Sequence, residues 1–243
     1  MKNYQIIAHR GASAYAPENT IAAFRKAHDL GAQWVEFDVI LSHDEVPVIF
    51  HDETTTRTTN LADKKIVDLS LAQIKELDAG SWFSAEFAHE KIPTLAETFQ
   101  FLQEHTMQAH VELKTNPGKE EKTVILALEQ LNHYWPKDAA LPIFSSFDIE
   151  MLRTLRKHHA SLPLALAHRL WNNYDMDILQ ELHCTSMHLN ANFITREQIM
   201  TIQKQGFKVL CYTVDALEQA QRLFDWGING IFTNYPDRFN SLL

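Results

Sequence analysis

The sequence predicts an α/β protein folded as a TIM (β/α)₈ barrel, with a β-hairpin extension and a cap-like insertion. Short apolar runs alternate with amphipathic stretches along the chain, which is typical of a parallel sheet covered by helices. A barrel of this kind needs about 250 residues, so the 243-residue length fits a single domain over residues 1–243. A hydrophobic content of 45% suffices for a large core.

Nine apolar runs have the length of β-strands. They lie at residues 4–8, 33–39, 46–50, 108–113, 142–145, 163–167, 185–189, 207–213 and 229–232. The loop of residues 42–45 is too short for the crossover that joins parallel neighbours. We therefore expect residues 46–50 to fold back as a hairpin on the preceding strand, which leaves eight parallel strands for the barrel.

Amphipathic patterns predict seven helices between these strands. They cover residues 18–30, 94–105, 119–133, 148–158, 175–183, 195–205 and 215–226. Thr94 with Glu97, and Thr195 with Gln198, have the spacing of capping boxes and mark two helix starts. Asn19 is a candidate cap of the first helix, and from that helix end it could also reach the site.

One segment, residues 52–92, interrupts the alternation of strands and helices. It begins with three threonines and carries Trp82, Phe83 and Phe87. Long excursions at the functional end of a barrel often cover the site, so we interpret it as a cap. The alternative is a surface insertion packed on the barrel rim.

The charge balance excludes some classes of partner. A formal net charge of -9 argues against nucleic-acid binding, which needs a dense basic surface. The N-terminus shows no signal-peptide pattern, and no apolar run reaches the roughly 20 residues of a membrane helix. We expect a cytoplasmic protein without stable membrane insertion, and the sequence indicates no oligomeric state. Cys184 and Cys211 lie in or beside apolar runs and are expected to be buried free thiols.

Acidic residues stand near the ends of two predicted strands. Residues i and i+2 of a strand point the same way, so Glu36 and Asp38 share one face and Phe37 takes the other. The apolar face suits the helices, which places the carboxylates inside the barrel near its carboxyl end, where barrel active sites lie. The same alternation directs Glu112 and Lys114 inward on the next barrel strand.

The convergence of Glu36, Asp38 and Glu112 predicts a metal site. Buried carboxylates need a compensating cation or proton. Three oxygen donors suit one hard divalent cation, Mg²⁺ or Ca²⁺, and differ from the Cys/His sets of zinc sites. An isolated Glu-x-Asp would more often be a structural pair at the rim.

His9 and His51 also end apolar runs and suit acid–base chemistry near neutral pH. Beside a metal they indicate in-line displacement at phosphorus, in which one takes a proton and the other gives one. Which histidine has which role stays open. Arg10 can bind a phosphate oxygen in a bidentate fork, and Lys114 adds a second positive charge. His110 also points inward, with a supporting role in the site or a packed core role equally open.

These residues lie in motifs that resemble those of the glycerophosphodiester phosphodiesterases. The motifs run in family order over nearly the whole chain: His9-Arg10-Gly11, Pro17-Glu18-Asn19-Thr20, Glu36-Phe37-Asp38-Val39, Pro47-Val48-Ile49-Phe50-His51-Asp52, Ile92-Pro93-Thr94-Leu95, Glu112-Leu113-Lys114, Ser145-Ser146-Phe147 and Tyr212-Thr213-Val214-Asp215. The resemblance implies a TIM barrel with an insertion after the second of the two histidines.

The resemblance also implies an activity, the hydrolysis of glycerophosphodiesters to sn-glycerol 3-phosphate and an alcohol. The expected substrate is therefore a small molecule. It implies His9 and His51 as the acid–base pair, the three carboxylates as metal ligands, and Arg10 and Lys114 as phosphate contacts. Tyr212 stands where many members have Trp, which keeps an aromatic wall for the glycerol.

Other functions remain open from the sequence. A lysophospholipase D-like activity would admit a lysolipid under Trp82 and Phe83, and a related barrel phospholipase would act on intact lipid. A noncatalytic phosphodiester-binding barrel should have lost a histidine or a carboxylate, and this chain keeps them all. Water could attack phosphorus directly, or the glycerol 2-hydroxyl could attack first and give a cyclic phosphodiester.

Overall fold

Eight parallel strands form a closed barrel in the computed structural model, which describes residues 4–242 and side chains as far as residue 239. The nine strands are β1 (Gln5–His9), β2 (Trp34–Leu41), β3 (Pro47–Ile49), β4 (Gln108–Leu113), β5 (Ile143–Ser146), β6 (Leu164–His168), β7 (Ser186–Asn190), β8 (Lys208–Tyr212) and β9 (Gly230–Thr233). All except β3 belong to the barrel, and β1 closes it by pairing with both β2 and β9. The predicted fold class is confirmed.

Eight α-helices connect or flank these strands in the described part of the chain. They are α1 (Ile21–Asp29), α2 (Leu71–Glu76), α3 (Leu95–Glu104), α4 (Glu120–Tyr134), α5 (Ile149–His158), α6 (Tyr174–Glu181), α7 (Arg196–Lys204) and α8 (Leu217–Asp225). All except α2 were predicted, and both predicted capping boxes are present. A 3₁₀ helix, Pro236–Leu242, follows the last strand in the place of an eighth barrel helix.

The extra strand is the predicted hairpin. β3 pairs antiparallel with the end of β2, with Val39 opposite Ile49, and the backbone N–H of Phe50 donates to the carbonyl oxygen of Asp38 at 2.9 Å. Because β2 runs outward past the barrel rim, this return brings the chain back to the level of Asp38. His51 therefore arrives at the carboxyl end of the barrel without belonging to a barrel strand.

The alternation of side chains along β2 is as predicted. Phe37 faces the helices and packs against Phe24 of α1 and Phe99 of α3. Burial of a side chain of this size stabilises the fold by roughly 1.5–3 kcal/mol. Ile7, Leu210 and Phe232 fill the barrel interior instead, and Trp34 packs against them. The lower barrel is therefore a packed core, and a cavity opens above it at the carboxyl ends of the strands.

Residues 52–92 fold on the β2–β3 hairpin around a small core of their own. This core consists of Ile40, Val48, Phe50, Ile66, Leu69, Ile74, Leu77, Ala79 and Ile92. The segment contains α2 and two 3₁₀ helices, Ile66–Asp68 and Ala85–Phe87. Helix α2 has six residues, too few for its periodicity to be seen in sequence, although Ser70 and Gln73 form its capping box.

Two further findings concern the membrane and the cysteines. Within residues 4–242, no helix has the length and apolar character needed to cross a membrane. Cys184 and Cys211 are buried free thiols, as predicted, and burial raises the pKa of each to about 12. The cytoplasmic location stays a prediction.

Candidate active site

A cavity of about 460 Å³ opens at the carboxyl ends of the barrel strands. All eight residues predicted for the site line it: His9, Arg10, Glu36, Asp38, His51, Glu112, Lys114 and Tyr212. None of residues 53–92 belongs to its lining, so Trp82 and Phe83 lie outside it. The inserted segment reaches the site through Asp52 and Arg57, whose contacts are described below.

The three carboxylates meet because β2 and β4 are neighbours in the barrel. Asp38 and Glu112 are opposite each other in the register, and Glu36 lies two residues before Asp38 on the same face. Each group offers an oxygen within 4.8 Å of the other two. Glu36 and Asp38 are 5% and 1% exposed. This all-oxygen cluster could hold one hard divalent cation.

The electrostatics of the cluster favour such a cation. Burial opposes ionisation of Asp38, but Arg10 and Lys114 hold the pKa of this carboxyl well below its usual range. Burial and the Asp38 charge raise the pKa of Glu36, and they raise that of Glu112 although the Lys114 ammonium lies 2.7 Å from it. A divalent ion would compensate these charges and oppose the rise in the pKa values of the two glutamates.

Arg10 lies in a sharp turn directly after β1. Its φ of 56° is in the left-handed region, its backbone N–H donates to Glu36 Oε2 at 3.0 Å, and its Nε lies 3.4 Å from Asp38 Oδ2. A Cβ on the following Gly11 would stand 2.6 Å from the backbone of Ala23, so only glycine fits there. The turn presses Arg10 against the carboxylates, and such backbone strain is typical of functional sites.

Asn19 is a site residue that the sequence indicated only as a possibility. Its Nδ2 donates to Asp38 Oδ2 at 2.9 Å, and the Asp38 backbone N–H lies 3.4 Å from Asn19 Oδ1. The predicted role as helix cap was wrong, because the cap of α1 is Thr20, whose hydroxyl accepts from the N–H of Ala23. Asn19 instead orients a carboxylate of the cluster.

His9 contacts Asn234, which in turn contacts Asp215, and the sequence indicated no role for either residue. Its Nδ1 lies 2.8 Å from Asn234 Oδ1, and Asn234 Nδ2 donates to Asp215 Oδ2 at 2.7 Å. The hydroxyl of Ser13 also donates to Asn234 Oδ1 at 2.7 Å. Burial, with the charge of Arg10, lowers the pKa of His9 to about 4. Both residues follow the ends of predicted strands, and this position in the sequence could have marked them as candidate site residues.

His51 has a carboxylate partner instead. Its Nδ1 lies 2.6 Å from Asp52 Oδ1, and Arg57 Nε donates to Asp52 Oδ2 at 2.7 Å. Burial opposes ionisation of Asp52, but Arg57 and His51 hold its pKa at about 2. Arg57 also binds Glu18, which accepts from Arg10 as well. The inserted segment is thereby tied to the start of α1.

The wall formed by strands β5 to β8 is uncharged. The Tyr212 hydroxyl donates to the carbonyl oxygen of His168 at 3.2 Å, and burial raises the pKa of Tyr212, which keeps it neutral. The ring of Phe147 stands edge-on to Tyr212 with centroids 5.9 Å apart, and Phe147 is 43% exposed. Ser145 and Asn190 add neutral polar groups to the lining.

His110 belongs to the barrel core. Neither of its ring nitrogens has a hydrogen-bond partner among the described residues, and its ring lies 5.2–5.3 Å from those of Trp34, His188 and Phe232. Burial holds the pKa of His110 well below its usual range. Of the two open roles, the structure supports the packed one, since His188 and not His110 lines the cavity.

Fold and site together define a class, that of TIM-barrel enzymes acting on phosphate esters. The family model of the glycerophosphoryl diester phosphodiesterases matches residues 9–238. A glycerophosphodiester phosphodiesterase of Caldanaerobacter subterraneus subsp. tengcongensis is 36% identical over 242 residues, covering 98% of this chain and 97% of that protein. Another, from Bacillus subtilis, is 32% identical over 253 residues, covering 97% and 85% respectively.

A solved structure gives the same result. A phosphodiesterase from Oleispira antarctica, in complex with the product sn-glycerol-3-phosphate, is 37% identical and superposes with a TM-score of 0.94, covering 98% of this chain and 95% of that one. The chain belongs to the glycerophosphoryl diester phosphodiesterase family, and it is therefore a phosphoric diester hydrolase.

Proposed function

We propose that this enzyme hydrolyses glycerophosphodiesters to sn-glycerol 3-phosphate and an alcohol, in a reaction that requires a divalent cation and uses two histidines. The observation that carries the proposal is the convergence, in one cavity, of the acidic cluster, both histidines and the positively charged side chains of Arg10 and Lys114. The product bound to the relative from Oleispira antarctica supports the choice of substrate.

Glu36, Asp38 and Glu112 are the groups that would hold the cation, Mg²⁺ or Ca²⁺. Bound there, it would neutralise negative charge on the transferring phosphoryl group. Asn19 contributes by fixing one oxygen of Asp38, which leaves fewer orientations for that ligand. The raised pKa values of the two glutamates imply that cation binding releases protons and strengthens as pH rises.

Arg10 and Lys114 orient the phosphate. Both are tied to carboxylates of the cluster, so their charges stay in place without a substrate. We assign the glycerol to the wall of Tyr212 and Phe147, because this is the apolar side of the lining and glycerol carries no charge. The alcohol would then leave toward the groove shared by His51 and Lys114, which runs on to Glu53 and Asp68.

His9 and His51 exchange protons with the reacting oxygens. One removes the proton of the attacking hydroxyl as its oxygen bonds to phosphorus, and the other protonates the alcohol oxygen as its bond to phosphorus breaks. The attacking oxygen comes from water or from the glycerol 2-hydroxyl. The second course requires a cyclic phosphodiester, which ³¹P NMR would detect during turnover.

The first test is the release of sn-glycerol 3-phosphate from glycerophosphocholine. Protein treated with EDTA should be inactive, and Mg²⁺ or Ca²⁺ should restore turnover. Glu112→Gln should not respond to either ion, whereas Glu129→Gln, a change on helix α4 away from the cavity, should respond like the wild type. Full activity in EDTA would refute the cation requirement, and inactivity of folded, ion-loaded protein on several glycerophosphodiesters would refute the substrate.

A second candidate substrate is a lysophospholipid, and one observation favours it. Four of the large apolar side chains that are exposed lie on the loops or helix starts after β5, β6 and β7: Phe147, Leu170, Tyr174 and Phe193. They follow the neutral wall of the cavity, so an acyl chain on the glycerol could lie across them. The predicted entry under Trp82 and Phe83 lacks support, because those residues are not part of the lining.

The two substrates are separable by experiment. Phe193→Ser should lower activity on lysophosphatidylcholine and leave activity on glycerophosphocholine unchanged. Met200→Ser is the matched control, because Met200 is about as exposed but lies within α7. Equal effects on both substrates, or no hydrolysis of the lysolipid by the wild type, would exclude this candidate.

A further inference from the structure

The two histidines of the site differ in what holds their Nδ1 atoms. His51 faces the carboxylate of Asp52, whereas His9 faces the side-chain amide of Asn234. A carboxylate stabilises a protonated imidazole, and an amide oxygen only orients a neutral one. The same ring type therefore stands in two different chemical settings within one cavity.

The orientation of the Asn234 amide follows from its other contacts. The Asp215 carboxylate offers only acceptor oxygens, so the Asn234 atom 2.7 Å from its Oδ2 must belong to the NH₂ group. Asn234 Oδ1 is then left to accept from Ser13 and from His9 Nδ1. His9 must carry its proton on Nδ1, and its Nε2 presents a lone pair to the cavity.

We propose that Asn234 and Asp215 are positioning residues that fix His9 as the base of the reaction, which leaves the acid role to His51. This inference rests on the proposed function. In the step that follows, the attacking oxygen bonds to phosphorus and its proton passes to His9 Nε2. The bond from phosphorus to the alcohol oxygen breaks, and that oxygen takes the proton of His51. Solvent then returns both rings to their starting states.

The hydrogen bonds on Asp215 strengthen the assignment. Its Oδ1 accepts from the Thr233 hydroxyl at 3.0 Å and from the Asn234 backbone N–H at 2.8 Å. The carboxylate is thus held at two points, and the amide it orients cannot flip without losing a charge-assisted bond. Four charged or titratable groups also face His9: Arg10, Glu18, Asp38 and, opposite it in the strand register, Glu36.

The tautomer itself can be measured without turnover. In protein carrying ¹⁵N-labelled histidine, the His9 ring, assigned by comparison with His9→Gln, should show a protonated Nδ1 and an unprotonated Nε2 at neutral pH. The opposite tautomer would overturn the proposal whether or not the enzyme acts on glycerophosphodiesters. Failure of the activity assay with the expected tautomer would refute the proposed function instead.

A charge exchange tests the consequence for catalysis. The double variant Asp215→Asn with Asn234→Asp keeps the net charge and the donor–acceptor pair between the two residues, but it places the carboxylate next to His9. The acidic limb of the kcat/KM profile should move up by about 1–3 pH units, with activity recovered at high pH. In the single variant Asp215→Asn, kcat should fall by a larger factor than KM changes.

Two controls separate positioning from structure. Asn132→Asp adds a charge on the exposed face of α4 and should leave the profile unchanged, and Asp237→Asn removes a carboxylate that binds Tyr15 instead of Asn234. An exchange variant that folds and binds the cation like the wild type, yet keeps the wild-type profile, would overturn the proposal. Activity lowered equally at every pH would do so as well.

Discussion

The two halves of the catalytic cavity are built from different chemistry. Strands β1, β2 and β4, with the hairpin strand β3, contribute every charged group and both acid–base histidines: His9, Arg10, Glu36, Asp38, His51, Glu112 and Lys114. Strands β5 to β8 and the loops after them contribute neutral residues: Ser145, Phe147, Ala167, His188, Asn190, Asn192 and Tyr212.

This difference indicates that the two halves of the cavity contribute to different steps of the reaction. On the charged half, hydrogen bonds and ion pairs join nearly every group to another, so each change there disturbs several groups. On the neutral half, contacts are mostly ring edges and single hydrogen bonds. We therefore expect changes in the charged half to affect the chemical step and changes in the neutral half to affect substrate binding.

The largest effect is expected from the loss of an acid–base histidine. His51→Gln should lower kcat on glycerophosphocholine by about 10²–10⁴-fold with KM nearly unchanged, because proton transfer is lost while the phosphate contacts remain. Steady-state kinetics would measure this. His133→Gln, on helix α4, is the control. A variant that retained wild-type kcat would place the acid–base function elsewhere.

The next effect is expected in the free energy of unfolding and its dependence on pH. The pKa of Glu36 is raised well above 4.5 in the folded chain, so its contribution to stability is present at low pH and is lost as pH rises through that raised value. Glu36→Gln should therefore stabilise the ion-free protein at pH 7 by about 0.5–2 kcal/mol and have little effect at pH 4.

Chemical unfolding in EDTA at both pH values would test this prediction. Added Mg²⁺ or Ca²⁺ should stabilise the wild type and leave Glu36→Gln unchanged, because a ligand has been lost. Glu86→Gln, in an exposed 3₁₀ helix, is the matched control. Destabilisation of the ion-free Glu36→Gln protein at pH 7 would contradict the electrostatic picture of the cluster.

A smaller effect is expected from the neutral half. Tyr212→Ala should raise KM by roughly tenfold, about 1.4 kcal/mol of binding, and change kcat little, since the ring packs near the substrate without exchanging protons. Tyr212→Phe loses only the bond to the His168 carbonyl and should stay close to wild type. A loss of kcat in Tyr212→Ala as large as that of His51→Gln would break the division between the halves.

The smallest effect is expected from the inserted segment. Trp82→Ala should leave kcat/KM on glycerophosphocholine within about twofold of wild type, because Trp82 packs on Phe83 and lies outside the lining. Arg57→Ala, in the same segment, should lower activity clearly, since Arg57 holds Asp52. If Trp82→Ala lost activity and Arg57→Ala did not, the result would support the predicted cap over the alternative of a surface insertion.

Much of the barrel could be predicted from the sequence, because apolar runs and helical periods are local patterns. The hairpin followed from a loop length, and the inward direction of Glu36 and Asp38 followed from the alternation of side chains along a strand. Helix α2 was missed because six residues carry too little periodicity. Asn19 was expected as a cap, since the competition between two adjacent capping residues is decided by backbone geometry.

By itself, therefore, the sequence determined the architecture, the family and the eight residues brought together in the cavity, because each of these depends on residue type and short spacing. Only the tertiary structure decided that Asn234 is the partner of His9, whereas Asp52, the partner of His51, is its neighbour in the sequence. Asn234 and His9 are 225 positions apart and meet because β9 and β1 close the barrel. Contacts made by closure depend on the relative position of distant strands, and no local pattern encodes that position.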